Sequence, residues 1–430
     1  MSKIKSIRAR EIIDSRGYPT IEGQLTLNND VSVVTAIPAG TSVGKYEAFE
    51  LRDSTSPRMS GMGVQQAVSY VNDLLGPKLV GASPTTQKEI DEWLIKADGS
   101  KNKSKLGGNT LLVISQLITK AGAVSEGLTL FNYVNQLFSK RFEDEVKIEK
   151  IPTPIFNILN GGAHGNHNMD FQEFQIIPTA SLTFTQAFEV GIDIFHELKK
   201  VLEYRNANVS IGEEGGFTPN LKTNVDGLEV LNEAILRRGL KTGLDVFLGL
   251  DIAASYFYQK GTYRIKDKSA PLKKDDYLHF ILDLVKKYAI LSIEDPINQD
   301  DFEEWKKLNS ELSKERYIIG DDLIVTNPER LKKTIAENAA NTVLVKPNQI
   351  GTISETLEVI EIARKNNMNY VISHRSGETN DSFIADFAVG VQSDFVKFGA
   401  PCRGERVAKY NRLLQIEQEE FPKDKAQPKK

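Results

Sequence analysis

Three acids, Asp251, Glu294 and Asp321, each close a short apolar run: VFLGLD, AILSIEDP and YIIGDD. Carboxylates gathered without basic partners raise one another's pKa and repel. A hard divalent cation relieves that, and magnesium prefers a few carboxylates completed by water and substrate oxygens. Singly, each acid is as well explained as a helix N-cap or a solvated loop residue. Three at matching run ends point to a metal. Two lysines hold the same kind of position, Lys346 after TVLV and Lys397 in DFVKFG. Lysines are rarely buried without a partner; one beside a dication has its pKa lowered and becomes a base near neutral pH. SHRSGET (373–379) adds a guanidinium, a hydroxyl and a glycine ahead of a helical pattern. That combination suits an anion such as phosphate. His374 within it reads equally well as a structural residue.

IGEEGGF (211–217) sets Glu213 and Glu214 side by side among glycines. Adjacent side chains on an extended segment point to opposite faces, so at most one looks into a given pocket. A wet, glycine-rich turn is the blunter reading. NGGAHGNHNMDFQEF (160–174) has the composition of a transition-metal site in His164, His167, Asp170 and Glu173. Its spacing matches no helical zinc signature, and a substrate loop followed by a strand fits better. AGTSVGKYE (39–47) mimics a phosphate loop, but its glycines are one residue too close and Tyr46 follows the lysine instead of Ser or Thr. A lid built on Gly40, Thr41, Ser42 and Gly44 fits better.

These residues need elements to hold them. Residues 20–27, TIEGQLTL, alternate as a strand, NND offers a turn, and VSVVTAI follows. From about residue 63 the apolar spacing becomes helical, in GVQQAVSYVNDLL, TTQKEIDEWLIKA and NTLLVISQLITKAGAVS. Strands followed by helices predict a small α+β domain over 1–138. The charged stretch 139–150 opens the second domain, 139–418, in which strand-like runs and helices alternate. Its last intervals, from Glu294 through Asp321, Lys346 and His374 to Lys397, are 27, 25, 28 and 23 residues. A (β/α)8 barrel of ~250 residues spends roughly 30 per unit and builds its active site at the C-terminal strand ends. An open doubly wound sheet alternates in the same way, so the α/β repeat favours the barrel only modestly. The lysine-rich, proline-broken tail 419–430 is expected to be disordered.

Of the 430 residues, 40% are hydrophobic and 26% charged, with a formal charge of -4. A nucleic-acid binder normally carries a basic excess. The single cysteine, Cys402, excludes an intramolecular disulfide and fits a reducing compartment. The start has no apolar core of signal-peptide length, and no run approaches the ~20 apolar residues of a membrane helix. A cytoplasmic protein with no nucleic-acid partner and no membrane insertion is expected.

The stretches REIIDSRGYPT, PAGTSVG, FNILNGGAH, QEF, GEEGGFTPN, LGLDIAAS, SIEDP, GDDLIVTNP, VKPNQIGT, SHRSGET and KFGAPCRGER occur in this order. Together they resemble the enolase (phosphopyruvate hydratase) family from about residue 3 to 418. The resemblance implies a small α+β N-terminal domain, a slightly irregular (β/α)8 barrel and a homodimer or higher homo-oligomer. It implies reversible dehydration of 2-phosphoglycerate, a phosphorylated hydroxy acid, with two magnesium ions per site, the second arriving with substrate. Asp251, Glu294 and Asp321 would hold the first ion, and Ser42 on the lid would complete the shell of the second. Lys346 would be the base at carbon 2 and Glu214 the acid for the carbon-3 hydroxyl. Glu173 and Lys397 would support the acid and the substrate carboxylate. His164, Gln172, Arg375, Ser376 and Ser42 would bind substrate, with His164, Arg375 and Ser376 at phosphate or neighbouring atoms, and His374 would lie near the leaving hydroxyl.

The chain departs from the family at Tyr18, Ala39, Val43, Glu213, Pro347, Phe398 and Gly404. The changed lid and the residue beside Lys397 leave a second reading, a paralogue dehydrating a 2-phosphoglycerate analogue such as a phosphonate-pathway intermediate. A third, a binding role through Lys429 and Lys430, leaves the catalytic lysines and carboxylates without a use.

Overall fold

The computed structural model describes residues 2–40, 44–165 and 167–422. Ser42, Val43, Lys429 and Lys430 lie outside the described residues. The first strands are β1 (Ile4–Ile13), β2 (Pro19–Leu27) and β3 (Ser32–Ala36), an antiparallel sheet in sequence order. Ile21, Leu25 and Leu27 are buried, as the alternation requires, and the helix Gly108–Glu126 packs on this sheet. Gly23 is what permits the approach: a Cβ there would stand 2.8 Å from Leu117 and Val113 side-chain carbons.

The second unit is a closed eight-stranded barrel. Its strands are β4 (Thr153–Asn160), β5 (Glu173–Pro178), β6 (Val246–Asp251), β7 (Ile290–Glu294), β8 (Tyr317–Gly320), β9 (Thr342–Val345), β10 (Asn369–Ser373) and β11 (Phe395–Lys397). They close in chain order, β11 returning to β4. The open-sheet reading is thereby excluded. The irregularity is β5, antiparallel to both β4 and β6, while the other neighbours run parallel. A parallel pair needs a crossover helix, but an antiparallel pair needs only a loop. β4 therefore reaches β5 through 161–172, and the helices Phe184–Tyr204 and Asn224–Arg237 both follow β5. Each of those helices starts on a threonine capping box, at Thr183 and Thr223.

Ile155, Ile177, Ile319, Leu344, Val371 and Phe395 form a core cluster separate from the main one. Each lies on a barrel strand, and side chains two residues apart share a face. Stepping from Ile319, Leu344, Val371 and Phe395 two residues toward the C-terminal end reaches Asp321, Lys346, Ser373 and Lys397. The apolar layer thus supports a polar one above it. On β5 the step runs backwards, from Ile177 through Gln175 to Glu173, because that strand is reversed.

The final helix, Gly404–Glu420, includes Glu419 and Glu420, which composition assigned to a disordered tail. Glu417 holds its last turn down by accepting N–H bonds from Phe184 at 2.6 Å and Thr185 at 3.0 Å, capping another helix. Tertiary contact overrides the polar composition there; residues from 423 onward lie outside the described ones.

Candidate active site

A small cavity opens at the barrel's C-terminal end. His164, Gln172, Glu173, Glu214, Asp251, Lys346, His374, Arg375, Ser376 and Lys397 line it, all named from sequence, together with Ser373. Strand register explains the convergence. Glu294 pairs with Asp251, Asp251 with Glu173, Glu173 with Asn160, and Lys397 with Ser373 and Ile155. Reversal of β5 is what puts Glu173, the first residue of its strand, beside Asp251, the last of its own.

The acids are not without basic partners, as the spacing argument assumed. Lys397 Nζ lies 2.8 Å from Glu294 Oε2 and 3.1 Å from both Asp251 Oδ2 and Glu173 Oε2. Lys346 Nζ lies 2.6 Å from Asp321 Oδ2. The trio of acids divides accordingly: Asp251 and Glu294 face Lys397, while Asp321 forms a tight group with Asp295 and Asp322. Burial, with Asp251 next, pushes Glu294 well above the usual carboxylate range despite Lys397. Its Oε1 is buried and has no hydrogen-bond partner among the described residues. An all-oxygen donor set with an orphaned carboxylate oxygen fits a hard cation such as magnesium.

Lys346 also differs from expectation. Burial pulls its pKa down most strongly, yet with the Asp321 carboxylate and then Glu294 pulling the other way the net direction is upward. Gln349 holds Asp321 from the other side, its Nε2 donating to Oδ1 at 3.0 Å.

Across the cavity, His164 Nδ1 stands between Glu173 Oε1 at 3.4 Å and Glu214 Oε2 at 3.5 Å. Asn157 Nδ2 donates to Glu214 Oε2 at 2.8 Å and Ser376 Oγ to Oε1 at 3.0 Å. Burial raises Glu214, but His164 and then His374 pull harder, leaving it well below the usual range. Glu173 is displaced upward by burial, against Lys397. The two carboxylates are thus displaced in opposite directions, Glu173 toward its protonated form and Glu214, the expected acid, toward its ionised one. Gln172 donates to Asp251 only at 3.5 Å, and its Oε1 is buried without a hydrogen-bond partner among the described residues.

IGEEGGF is a turn in its backbone and still places one acid inside. Gly215, at φ 89°, takes a conformation other residues avoid, and its N–H bonds Gly212 O at 3.2 Å. Glu214 is buried and Glu213 exposed. Phe398, the departure beside Lys397, is fully buried in the core outside the barrel, with Tyr410 5.9 Å away. It does not line the cavity.

Sequence reasoning missed Asn157, Gln349, Glu47 and Arg406. Asn157 had a signal, a polar residue inside the apolar run FNILN on Ile155's face. The others had none. Glu47 comes from the N-terminal domain to meet Arg375 at 3.0 Å, and Asn348 Oδ1 accepts from the same guanidinium at 2.9 Å. Beside them Ala39 and Gly377 exchange backbone bonds of 2.8 and 2.9 Å, joining lid stem to barrel. A Cβ on Gly40 would stand 1.9 Å from Arg375 Nη2. Gly40→Ala is therefore expected to fold and to push Arg375 off its partners. Weakening one charge-assisted bond to an anion, worth ~1.5–3 kcal/mol, raises KM roughly tenfold or more with a smaller change in kcat. Steady-state kinetics measures it; an unchanged KM means Arg375 does not hold substrate.

Residues 4–134 match the family described as "Enolase, N-terminal domain", and residues 148–427 "Enolase, C-terminal TIM barrel domain". A curated enolase of Ehrlichia ruminantium (strain Welgevonden) is 44% identical over 415 residues, 96% of each chain. With the closed barrel and the acid–lysine cavity at its C-terminal end, these matches show that the chain belongs to the enolase family.

Proposed function

We propose that this site interconverts 2-phosphoglycerate and phosphoenolpyruvate by loss and gain of water, the phosphopyruvate hydratase reaction of a carbon–oxygen lyase. The observation that carries it is a lysine and a carboxylate cluster on opposite walls of one cavity. Lys346 follows β9, and Glu173 begins β5, four strands away around an eight-strand ring. Removing a proton on one side of a substrate and a hydroxyl on the other needs that separation. Identity over nearly the whole of both chains favours this reaction over a paralogue acting on an analogue.

Lys346 takes the carbon-2 proton. Glu214 delivers a proton to the carbon-3 hydroxyl, and His164, between Glu214 and Glu173, connects it to the cluster's proton. Lys397 balances Asp251, Glu294 and Glu173 and meets the substrate carboxylate. Arg375, Ser376, His164 and Gln172 bind phosphate and neighbouring atoms. Each general acid or base contributes only ~10²–10⁴-fold, short of what a proton beside a carboxylate requires. When bound, magnesium supplies the missing electrostatic stabilisation of the negative charge that develops on that carboxylate. Asp251, Glu294 and Asp321 are the residues that would hold the first ion, and Ser42 with substrate the second. The unit 1–138 carries the lid over the barrel 139–418. The enzyme works in glycolysis, in the cytoplasm, as a homodimer or higher homo-oligomer.

Purified protein given 2-phosphoglycerate and magnesium should form the enol product, followed by ultraviolet absorbance, and a chelator should stop it. A protein that binds magnesium but stays silent shifts the reading to the analogue. Glu214→Gln should lose dehydration by ~10²–10⁴-fold yet keep exchanging the carbon-2 proton with solvent. The amide is accommodated, since Asn157 can donate to its oxygen while Ser376 accepts from its nitrogen. Loss of both activities would mean the roles are divided wrongly.

A further inference from the structure

Arg406 has no part in the reaction as described, yet it is fully buried beneath the site. Among the described residues its nearest carboxylate oxygen is Glu405 Oε1, 3.5 Å from Nε. Its other nitrogens turn to the substrate loops. Nη1 donates to Arg375 O at 2.5 Å, and Nη2 to Glu213 O at 3.1 Å and to Ser376 O. Nη1 also lies 2.7 Å from His374 Nδ1. A guanidinium has five N–H donors and no acceptor. That contact is a hydrogen bond only if Nδ1 carries no proton, so the imidazole keeps its proton on Nε2. An imidazolium would set N–H against N–H.

His374 Nε2 faces Glu214 Oε2 at 3.5 Å and has no hydrogen-bond partner among the described residues. The charged groups around the ring are Glu214 from the 211–217 turn, Arg406 from the last helix and Lys397 from β11. Gly399 lets ring and guanidinium pack together: a Cβ there would be 3.0 Å from His374 Cε1 and 3.1 Å from Arg406 Cδ.

We propose that Arg406 is a positioning residue that fixes His374 as the neutral tautomer protonated at Nε2, so that a donor faces Glu214 and the departing hydroxyl. The chemistry requires a donor there. A hydroxyl leaving as water gains a proton from Glu214 on one lone pair and accepts a hydrogen bond on the other. An acceptor at His374 would instead hold the hydroxyl's own proton and leave the second lone pair unsupported. Burial, opposed by Glu214 and aided by Arg406, holds His374 down to about 3, in agreement with a neutral ring. The part played at the hydroxyl rests on the proposed reaction; the tautomer does not.

The test is nitrogen NMR of the full chain with labelled histidine, from about pH 6 to 8, either side of the ordinary histidine pKa of about 6.5. Expected is a bare Nδ1 and a protonated Nε2 on His374 throughout. The reverse tautomer, or a ring that titrates in this range, overturns the proposal whether or not the protein turns over 2-phosphoglycerate. In Arg406→Met, His374 should mix tautomers and titrate. Its kcat should fall roughly tenfold or more, below the ~10²–10⁴ of a group that itself transfers a proton, with KM little changed. Arg406→Lys should restore the tautomer. A folded Arg406→Met with an unaltered His374 spectrum overturns the proposal. If that variant does not fold, the wild-type spectrum decides alone.

Discussion

Lys346→Ala is expected to abolish both turnover of 2-phosphoglycerate and exchange of its carbon-2 proton, each by at least ~10²–10⁴-fold. The reason is positional. Lys346 directly follows β9, two residues on from Leu344, so its side chain enters the cavity at the strand's C-terminal end. Among the described residues the only other lysine lining the cavity is Lys397, which ends β11 and is held by three carboxylates. Removing Lys346 leaves Asp321 without its 2.6 Å partner but with Gln349 still donating to it. The variant should therefore fold and still bind magnesium, which calorimetry can check. Dehydration lost with exchange retained would place the base elsewhere, and full activity would sink the mechanism.

Lys397→Met should be the most damaging change to stability. It leaves Glu173, Asp251 and Glu294, all buried, without their common cation. Removing one partner of a buried ion pair costs about 3–5 kcal/mol, because the remaining charge is uncompensated. Three acids share this lysine, but burial already pushes Glu173 and Glu294 toward their neutral forms, so the loss at neutral pH should fall within that range, not beyond it, in denaturant titration without metal. Magnesium should restore part of it, since a cation among the same oxygens performs the same neutralisation. Activity should be lost with or without magnesium, because in the proposed reaction the lysine also meets the substrate carboxylate. A metal-free Lys397→Met as stable as the wild type would mean these acids are protonated in the native site.

Much of the site was legible because it lies on strands. Asp251, Glu294, Lys346 and Lys397 end short apolar runs, and run ends at near-regular intervals suit one end of a barrel, though only its closure excludes an open sheet. The rule that neighbouring side chains diverge said that at most one of Glu213 and Glu214 enters the pocket, and the resemblance chose Glu214; the segment is a turn, and Glu214 is the buried one. Glu173 drew notice only as part of a metal-like composition and took its supporting role from the resemblance; nothing local says that its strand runs backwards. The charge state of the cluster was misread for a related reason. Spacing showed three acids and two lysines at strand ends, but not that the lysines would lie among the acids. Lys346 was accordingly expected to be lowered where Asp321 raises it.

The sequence by itself determined the strands, the face each presents and the chemistry at its end, since a period of two and a terminal polar residue are local properties. Only the tertiary structure decided partners. Glu47 meets Arg375 across 328 residues, Arg406 meets His374 across 32, and Ser376 meets Glu214 across 162. Closing the ring chooses those contacts, by fixing which strand ends are neighbours and which side chains must share a buried proton or charge. A local pattern holds no record of closure, so it can nominate an acid and a base without saying which cation or histidine will set their protonation.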